Sequence, residues 1–465
     1  MSEEVQPKNI SSVETKYLDQ PPSCLEFCPV DPNYFVVGTY LLQETRESAE
    51  EKTSKAGDED EDEGIASGSV KQTKTGSLQL WHLDATAVAT SKLQRKQVVP
   101  LPYAVFDIKF HPIRQHILGV AGSDGSISVY SVSKEDHRDR TTDPQIQHYW
   151  TSSAEHPGVS ALYFSWFPED WFPLASIPYT DGFVVSFSNG TTRTCVLDPL
   201  PGKSYDIVKN KGSKNGGSWQ FISTEYLPER RKNIEPWFLA LAKYQNPNLP
   251  GGMESYMFTG DDMGTLWKQS YSYPDDGDHS YDLEEMWSRC DYTNTDDEGR
   301  HHTAGGVTSI LPLPISHLVK KAPIILTGSY DEYIRVYHAT FKGSVLAEKR
   351  LGGGVWRLQI IDIENITNRA AAAGEPFSEI RYLILASCMH AGTRIVRVIW
   401  KRSRLSNDEI GDWDIEVLAL FTEHESMNYA SGVWRGGNNA TTGTELVCVS
   451  SSFYDKRLCL WKAQV

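Results

Sequence analysis

The chain has 465 residues and a formal net charge of −16, with 61 acidic against 45 basic side chains. That balance argues against a general nucleic-acid-binding surface, which needs a basic face, so no direct nucleic-acid binding is expected. No apolar run of about 18 residues is present to span a bilayer. The N-terminus has no signal-peptide core, and seven scattered cysteines without a C-x-x-C pattern suit reduced thiols, so a cytoplasmic location is expected.

In chain order, "VETKYLD" (Val13 to Asp19) predicts a strand, followed by "CLEFCP" (Cys24 to Pro29) and "YFVVGTYLL". The segment 44–74, with "AEEKTSKAGDEDEDEG" inside it, is an acidic insertion expected to be disordered. "KTGSLQLWHL" (Lys74 to Leu83) resumes the alternation. "VFDIKFHP" (Val105 to Pro112) resembles "CLEFCP", and "HILGVAGS" resembles "YFVVGTYLL". "AGSDGSISVYSV", "YTDGFVVSFS" and "TGDDMGTLWKQS" each put a polar turn before a strand. So do "ILTGSYDEYIRVYH" (Ile325 to His338), "CMHAGTRIVRVI" and "SSFYDKRLCLWKA".

In each of these seven units a turn residue precedes a large apolar residue by six positions. The apolar anchors are Trp81, Tyr130, Phe187, Trp267, Tyr337, Val396 and Trp461. The units recur about every 50 to 80 residues, against about 40 to 45 for WD-type repeats, which implies insertions. The expected fold is all-β: a single seven-bladed WD40-type β-propeller over residues 1–465. Its ring is closed by the N-terminal strand in the last blade, which protects both edges.

In such a repeat, the loop leading into a blade's first strand and the turn before its third strand share one face. "LGGGVWRL" (Leu351 to Leu358), "EHESMNYASGVW" (Glu423 to Trp434) and the turns at Ser329–Glu332, Cys388–Gly392 and Ser452–Lys456 are therefore expected around one side of a channel mouth. His424 and His390 are candidate bases, and Ser426 is a candidate nucleophile or hydrogen-bond partner. His424 stands among Glu423, Glu425 and Ser426, so a buried core position is not expected for it. Gly353 and Gly354 offer backbone N–H groups to an oxyanion, and Arg357 offers a cation. Tyr330, Trp356, Tyr429 and Tyr454 offer aromatic faces, and Asp331, Glu332 and Asp455 offer negative charge. Each has a plainer reading. Asp331 and Asp455 suit turn-bonding aspartates, Trp356 suits core packing, Arg357 suits a channel ion pair, and Cys388 suits an inert buried thiol. No G-x-S-x-G, S-x-x-K or H-E-x-x-H is present, and no metal site is expected.

Together "LTGSYDEYIRVY", "GGGVWRLQI", "ASCMHAG", "HESMNYASGVW" and "SSFYDKRLCLW" resemble the WD-repeat diphthine methylesterase family, usually called diphthine methyltransferases, of diphthamide biosynthesis. The resemblance is specific from about Ile324 to Trp461. Two features depart from the family pattern: Tyr337-His338 stands where a Trp-Asp ending is usual, and the neighbours around His424, Ser426 and Tyr429 differ. The resemblance implies a cofactor-independent hydrolase acting on elongation factor two, whose modified histidine carries a trimethylated amine and a methyl ester. The tyrosines and Trp356 would surround the trimethylammonium group, with Asp331 and Glu332 adding charge beside it. A monomer is expected. The alternative is a non-catalytic WD-repeat scaffold that binds a protein partner through the same face.

Overall fold

The computed structural model describes residues 6–46, 70–84, 92–134, 142–153, 155, 158–169, 171, 181–197, 219–226, 234–246, 248, 252–271, 290–296, 301–302, 305–315, 317–368, 377–402, 409–436 and 445–465. These residues form seven sheets, antiparallel except for one edge strand. The first strands of the sheets are Pro22–Phe27, Val105–Phe110, Ala161–Trp166, Phe238–Gln245, Val307–Pro312, Arg357–Asn368 and Ala430–Val433. Each touches the first strand of the next sheet, and Ala430–Val433 touches Pro22–Phe27, so the ring closes around a central channel. The fold is a seven-bladed β-propeller. Among the described residues no helix is long and apolar enough to cross a membrane.

The alternation of the strands explains the packing. Strand residues pointing to either face of a blade meet those of its neighbours, so both faces are apolar and the second strands are mostly buried. Tyr34–Thr39, Ile117–Gly122 and Ile324–Ser329 are buried at every position. The core is thus a series of layers between blades. One layer joins blades one and two through Val36, Leu80, Val105 and Val120. Another joins blades six and seven through Ile395, Phe421, Cys448 and Trp461. Full burial of each such side chain stabilises by about 1.5–3 kcal/mol.

The N-terminal segment fastens the ring. Lys8–Ile10 lies parallel to Asp412–Phe421 on the outer edge of blade six. Ser12–Tyr17 then pairs antiparallel with Arg457–Gln464 as the outer strand of blade seven. Glu14 accepts the N–H groups of Lys92 and Leu93 on blade one, at 2.7 and 3.2 Å. Closure by the N-terminal strand matches the sequence expectation; the extra strand on blade six was not foreseen.

Two details differ from the sequence reading. In blade three, "TDGF" is not the turn before the third strand, because Gly182–Phe187 is the second strand. The turn is Ser188-Asn189-Gly190, in which Asn189 accepts the N–H of Thr191 at 3.1 Å. Cys195, buried six positions after Asn189, is the anchor in place of Phe187. Asp181 serves elsewhere: it lies 2.7 Å from His111 Nε2 and pairs with Arg114. The second detail is at the acidic insertion. Its ends, Leu41–Arg46 and Val70–Thr75, pair as an antiparallel extension of blade one, and residues 47–69 lie outside the described residues.

Removing residues 1–17 should open blade seven and lower both the midpoint and the cooperativity of thermal unfolding. An unchanged melting curve would show that the N-terminal strand does not fasten the ring.

Candidate functional site

The start of a blade's first strand and the end of its second lie at the same end of the sheet. Aromatic residues collect at that end in six of the seven blades. Trp237, Trp356 and Tyr429 immediately precede first strands, and Phe106 is the second residue of one. Tyr40, Tyr330 and Phe453 immediately follow second strands. Their rings form one chain of contacts around the channel mouth. Phe106 meets Tyr40 at 5.5 Å between centroids, Tyr40 meets Phe453 at 6.0 Å, and Phe453 meets Tyr429 at 5.6 Å. Tyr429 meets Trp356 at 5.0 Å, which in turn meets Tyr330 at 6.1 Å and Trp237 at 5.6 Å. All seven are half-buried, so each keeps ring surface towards solvent. Burial, reinforced by the charge of Asp262, holds the Tyr330 phenol above its ordinary range, and burial does the same for Tyr429. Both are neutral donors at neutral pH.

The five loops singled out from sequence do converge here. Met389 and Asn428 form a bridge that ties the turn of blade six to the loop before Tyr429. A Cβ on Gly353 would stand 2.3 Å from Cys388 O, and one on Gly354 would stand 2.7 Å from Met389 Sδ. These two glycines therefore let the blade-six loop press against the blade-six turn.

Arg357 lies directly below the arc. Its guanidinium stacks 5.0 Å from Trp356, 4.9 Å from Tyr163 and 5.4 Å from Phe238, and Nη1 donates to Trp356 O at 2.9 Å. Deeper in the channel are Asp107, Lys109 and Glu26. Lys109 Nζ stands 4.4 Å from the Tyr163 ring. Glu26 accepts the N–H of Phe110 at 2.7 Å, and burial pushes its carboxyl up to about 8 against the pull of Lys109.

The remaining sequence candidates are placed differently. His424 is 6% exposed, and its Nε2 lies 2.8 Å from Ser450 Oγ, which also accepts the Trp461 indole N–H at 2.9 Å. Blade five repeats the arrangement: His302 Nε2 lies 2.8 Å from Thr327 Oγ1, with the Tyr337 ring 5.4 Å away. A histidine before the first strand, a hydroxyl on the second and a large ring on the third thus bind three strands of one blade. The expectation that His424 avoids burial is corrected: polar neighbours in sequence do not prevent a loop histidine from turning inward to a hydroxyl 26 residues away. Burial lowers its pKa to about 4.

Ser426 is not bonded to His424; its hydroxyl accepts the N–H of Tyr454 at 2.9 Å. His390 is exposed on the blade-six turn, next to the Met389–Asn428 bridge. Asp331 binds Arg335 at 2.8 Å and accepts the N–H of Tyr333 at 3.0 Å. Glu332 binds Arg350 at 2.7 Å, and Asp455 accepts from Ser452 and from the N–H of Glu425. These carboxylates are spent on turns and on neighbouring strands. Tyr454 is 72% exposed at the rim, its ring 5.0 Å from Phe453. Cys388 is buried, which pushes its thiol up to about 12 and leaves it unreactive at neutral pH. Trp237, Phe453, Tyr40 and Phe106 were missed. Their signal was positional: an aromatic residue directly beside the first or second strand, as at Trp356 and Tyr429.

Chemically, the mouth suits a cation on ring faces and an anion or polarised carbonyl at Arg357. No protein-family model matches the sequence. Over 452 residues, 96% of this chain and 96% of the relative, it is 25% identical to the protein named diphthine methyltransferase of Schizosaccharomyces pombe. Over 471 residues, 96% and 98% of the two chains, it is 23% identical to the diphthine methyltransferase homolog of Dictyostelium discoideum. Among solved structures, Sqt1 of Chaetomium thermophilum matches at a TM-score of 0.49 and 14% identity, covering 98% of this chain and 100% of that one. A chain of the mitotic checkpoint complex matches at 0.49 and 10% identity, covering 100% and 98%.

Ser450→Ala removes the hydroxyl shared by His424 and Trp461. Equilibrium urea unfolding should show a loss of about 1–3 kcal/mol. A second test uses pH. The folded pKa of His424 lies below the free value of 6.5, so protonation favours the unfolded chain. Its contribution, about 3 kcal/mol, is present above pH 6.5 and lost as pH falls towards 4. His424→Gln should flatten the stability profile across that window, and an unchanged slope would contradict the buried, bonded histidine.

Proposed function

We propose, for a chain that belongs to the WD-repeat family of diphthine methyltransferases, that the aromatic mouth binds methyl-esterified diphthine on elongation factor two and that the protein hydrolyses the ester. The observation that supports this most is the continuous aromatic arc with Arg357 directly beneath Trp356. The substrate side chain carries a quaternary ammonium and an ester carbonyl on the same carbon. A quaternary cation over aromatic faces gains about 0.5–2 kcal/mol. With the cation on Trp356, Tyr429 and Tyr330, the carbonyl points towards Arg357.

Hydrolysis then needs a base. His390 is assigned that role, since its ring is exposed at the rim while that of His424 is engaged within blade seven. His390 takes a proton from water, the hydroxide adds to the carbonyl carbon, and Arg357 balances the oxyanion. Collapse expels methoxide, which takes the proton from His390 and leaves as methanol; the carboxylic acid left on elongation factor two then gives its own proton to water as a carboxylate. Ser426 and His424 hold the loop and blade in place. The sequence supports hydrolysis over methyl transfer, because no G-x-G-x-x-G follows a predicted strand. A scaffold reading draws support from the exposed rim residues Tyr454 and Met263.

Elongation factor two carrying the methyl-ester intermediate should lose one methylene mass on incubation with the protein. His390→Ala should slow the loss by about 10²–10⁴-fold. Trp356→Ala should raise KM, whereas His424→Ala should lower stability and leave turnover per folded molecule intact. Stable binding with no change in mass would sink the esterase reading and favour the scaffold.

A further inference from the structure

Asp107 is 4% exposed, and its Oδ2 has no hydrogen-bond partner among the described residues. Two cations form ion pairs with this carboxylate, neither at hydrogen-bond distance. Arg357 Nη2 stands 3.8 Å from Oδ1, and Lys109 Nζ stands 3.9 Å from Oδ2. Both separations are ion-pair distances beyond a direct hydrogen bond, so neither cation is hydrogen-bonded to Asp107. Both cations also rest on the Tyr163 ring, one at 4.9 Å and the other at 4.4 Å. Their side chains remain about a quarter exposed, at 21% and 28%, so solvent reaches both cations while the Asp107 carboxylate lies buried behind them.

We propose that the exposed sides of Arg357 and Lys109 form an anion subsite for one carboxylate. Resting on the reaction proposed above, the carboxylate it holds is the one freed by ester cleavage. The mouth and the subsite then bind a zwitterion, with the quaternary ammonium on the aromatic arc and the carboxylate below. The spacing agrees, because the Arg357 guanidinium is 5.0 Å from the Trp356 ring. The carboxyls already in the channel tolerate an incoming anion. Burial raises Asp107 above the ordinary carboxyl range, and Glu26 is raised to about 8. An incoming carboxylate raises Asp107 further. In a chain of net charge −16, two cations facing a partly open channel mark a place built for a negative group.

The full-length protein is titrated by calorimetry with three probes: trimethylglycine, its methyl ester, and tetramethylammonium. Trimethylglycine should bind at least about tenfold tighter than the other two, as expected for a charge-assisted pair. Lys109→Gln should erase that preference and leave tetramethylammonium affinity unchanged. Arg357→Lys should keep part of it, and Trp356→Ala should weaken all three probes. Melting curves confirm that each variant is folded. Equal affinities in the unaltered protein, no binding of any probe, or a preference that survives Lys109→Gln would overturn the subsite. A carboxylate preference without hydrolysis of the factor's ester would sink the esterase and leave the subsite standing. Hydrolysis without the preference would sink the subsite alone.

Discussion

Closure of the ring is the constraint on which the rest of the structure depends. Seven sheets share apolar layers between them, and an open ring would leave both faces of one such layer in water. The N-terminal strand prevents this by completing the sheet of the last blade. Side chains reinforce the closure on both sides: Glu423, in the loop from blade six to blade seven, accepts from Ser12, and Glu14 accepts from the backbone of blade one. Only in a closed ring do residues as distant in sequence as Tyr40, Trp237 and Phe453 come to one mouth.

The site is built from two kinds of residue with separate tasks. One kind holds the blades: His424 with Ser450 and Trp461, His302 with Thr327, and Asp331 with Arg335. The other lines the mouth and channel, as Trp356, Tyr429, Arg357 and Lys109 do. The positive φ angles of Glu332 and Lys456, +74° and +57°, belong to the first kind. An L-residue in this conformation costs roughly 1–2 kcal/mol, yet both side chains are used. Glu332 binds Arg350, and Lys456 donates to Asp19 O.

Much of this was legible in the sequence. Six of the seven anchors mark third strands, and the convergence of five loops followed from their places in the repeat. The misreading at "TDGF" has a simple cause. Asp-Gly before alternating apolar residues is turn chemistry, but here Asp181 precedes a second strand and binds His111, a partner 70 residues away. His424 failed for the same reason, since its hydroxyl partner is on another strand and local polarity says nothing of it. Trp237 was missed because its stretch, "NIEPWFLALAKY", was not recognised as a first strand. The pair of Asp107 with Arg357 exists only because blades two and six face one channel, so no local pattern announces it.

Hydrolysis in water enriched in oxygen-18 tests the central claim most directly. Acyl–oxygen cleavage by activated water predicts one heavy oxygen in the carboxylate left on elongation factor two and none in the released methanol. A carboxylate without the label, or a factor that only gains methyl groups from an added donor, would contradict an esterase.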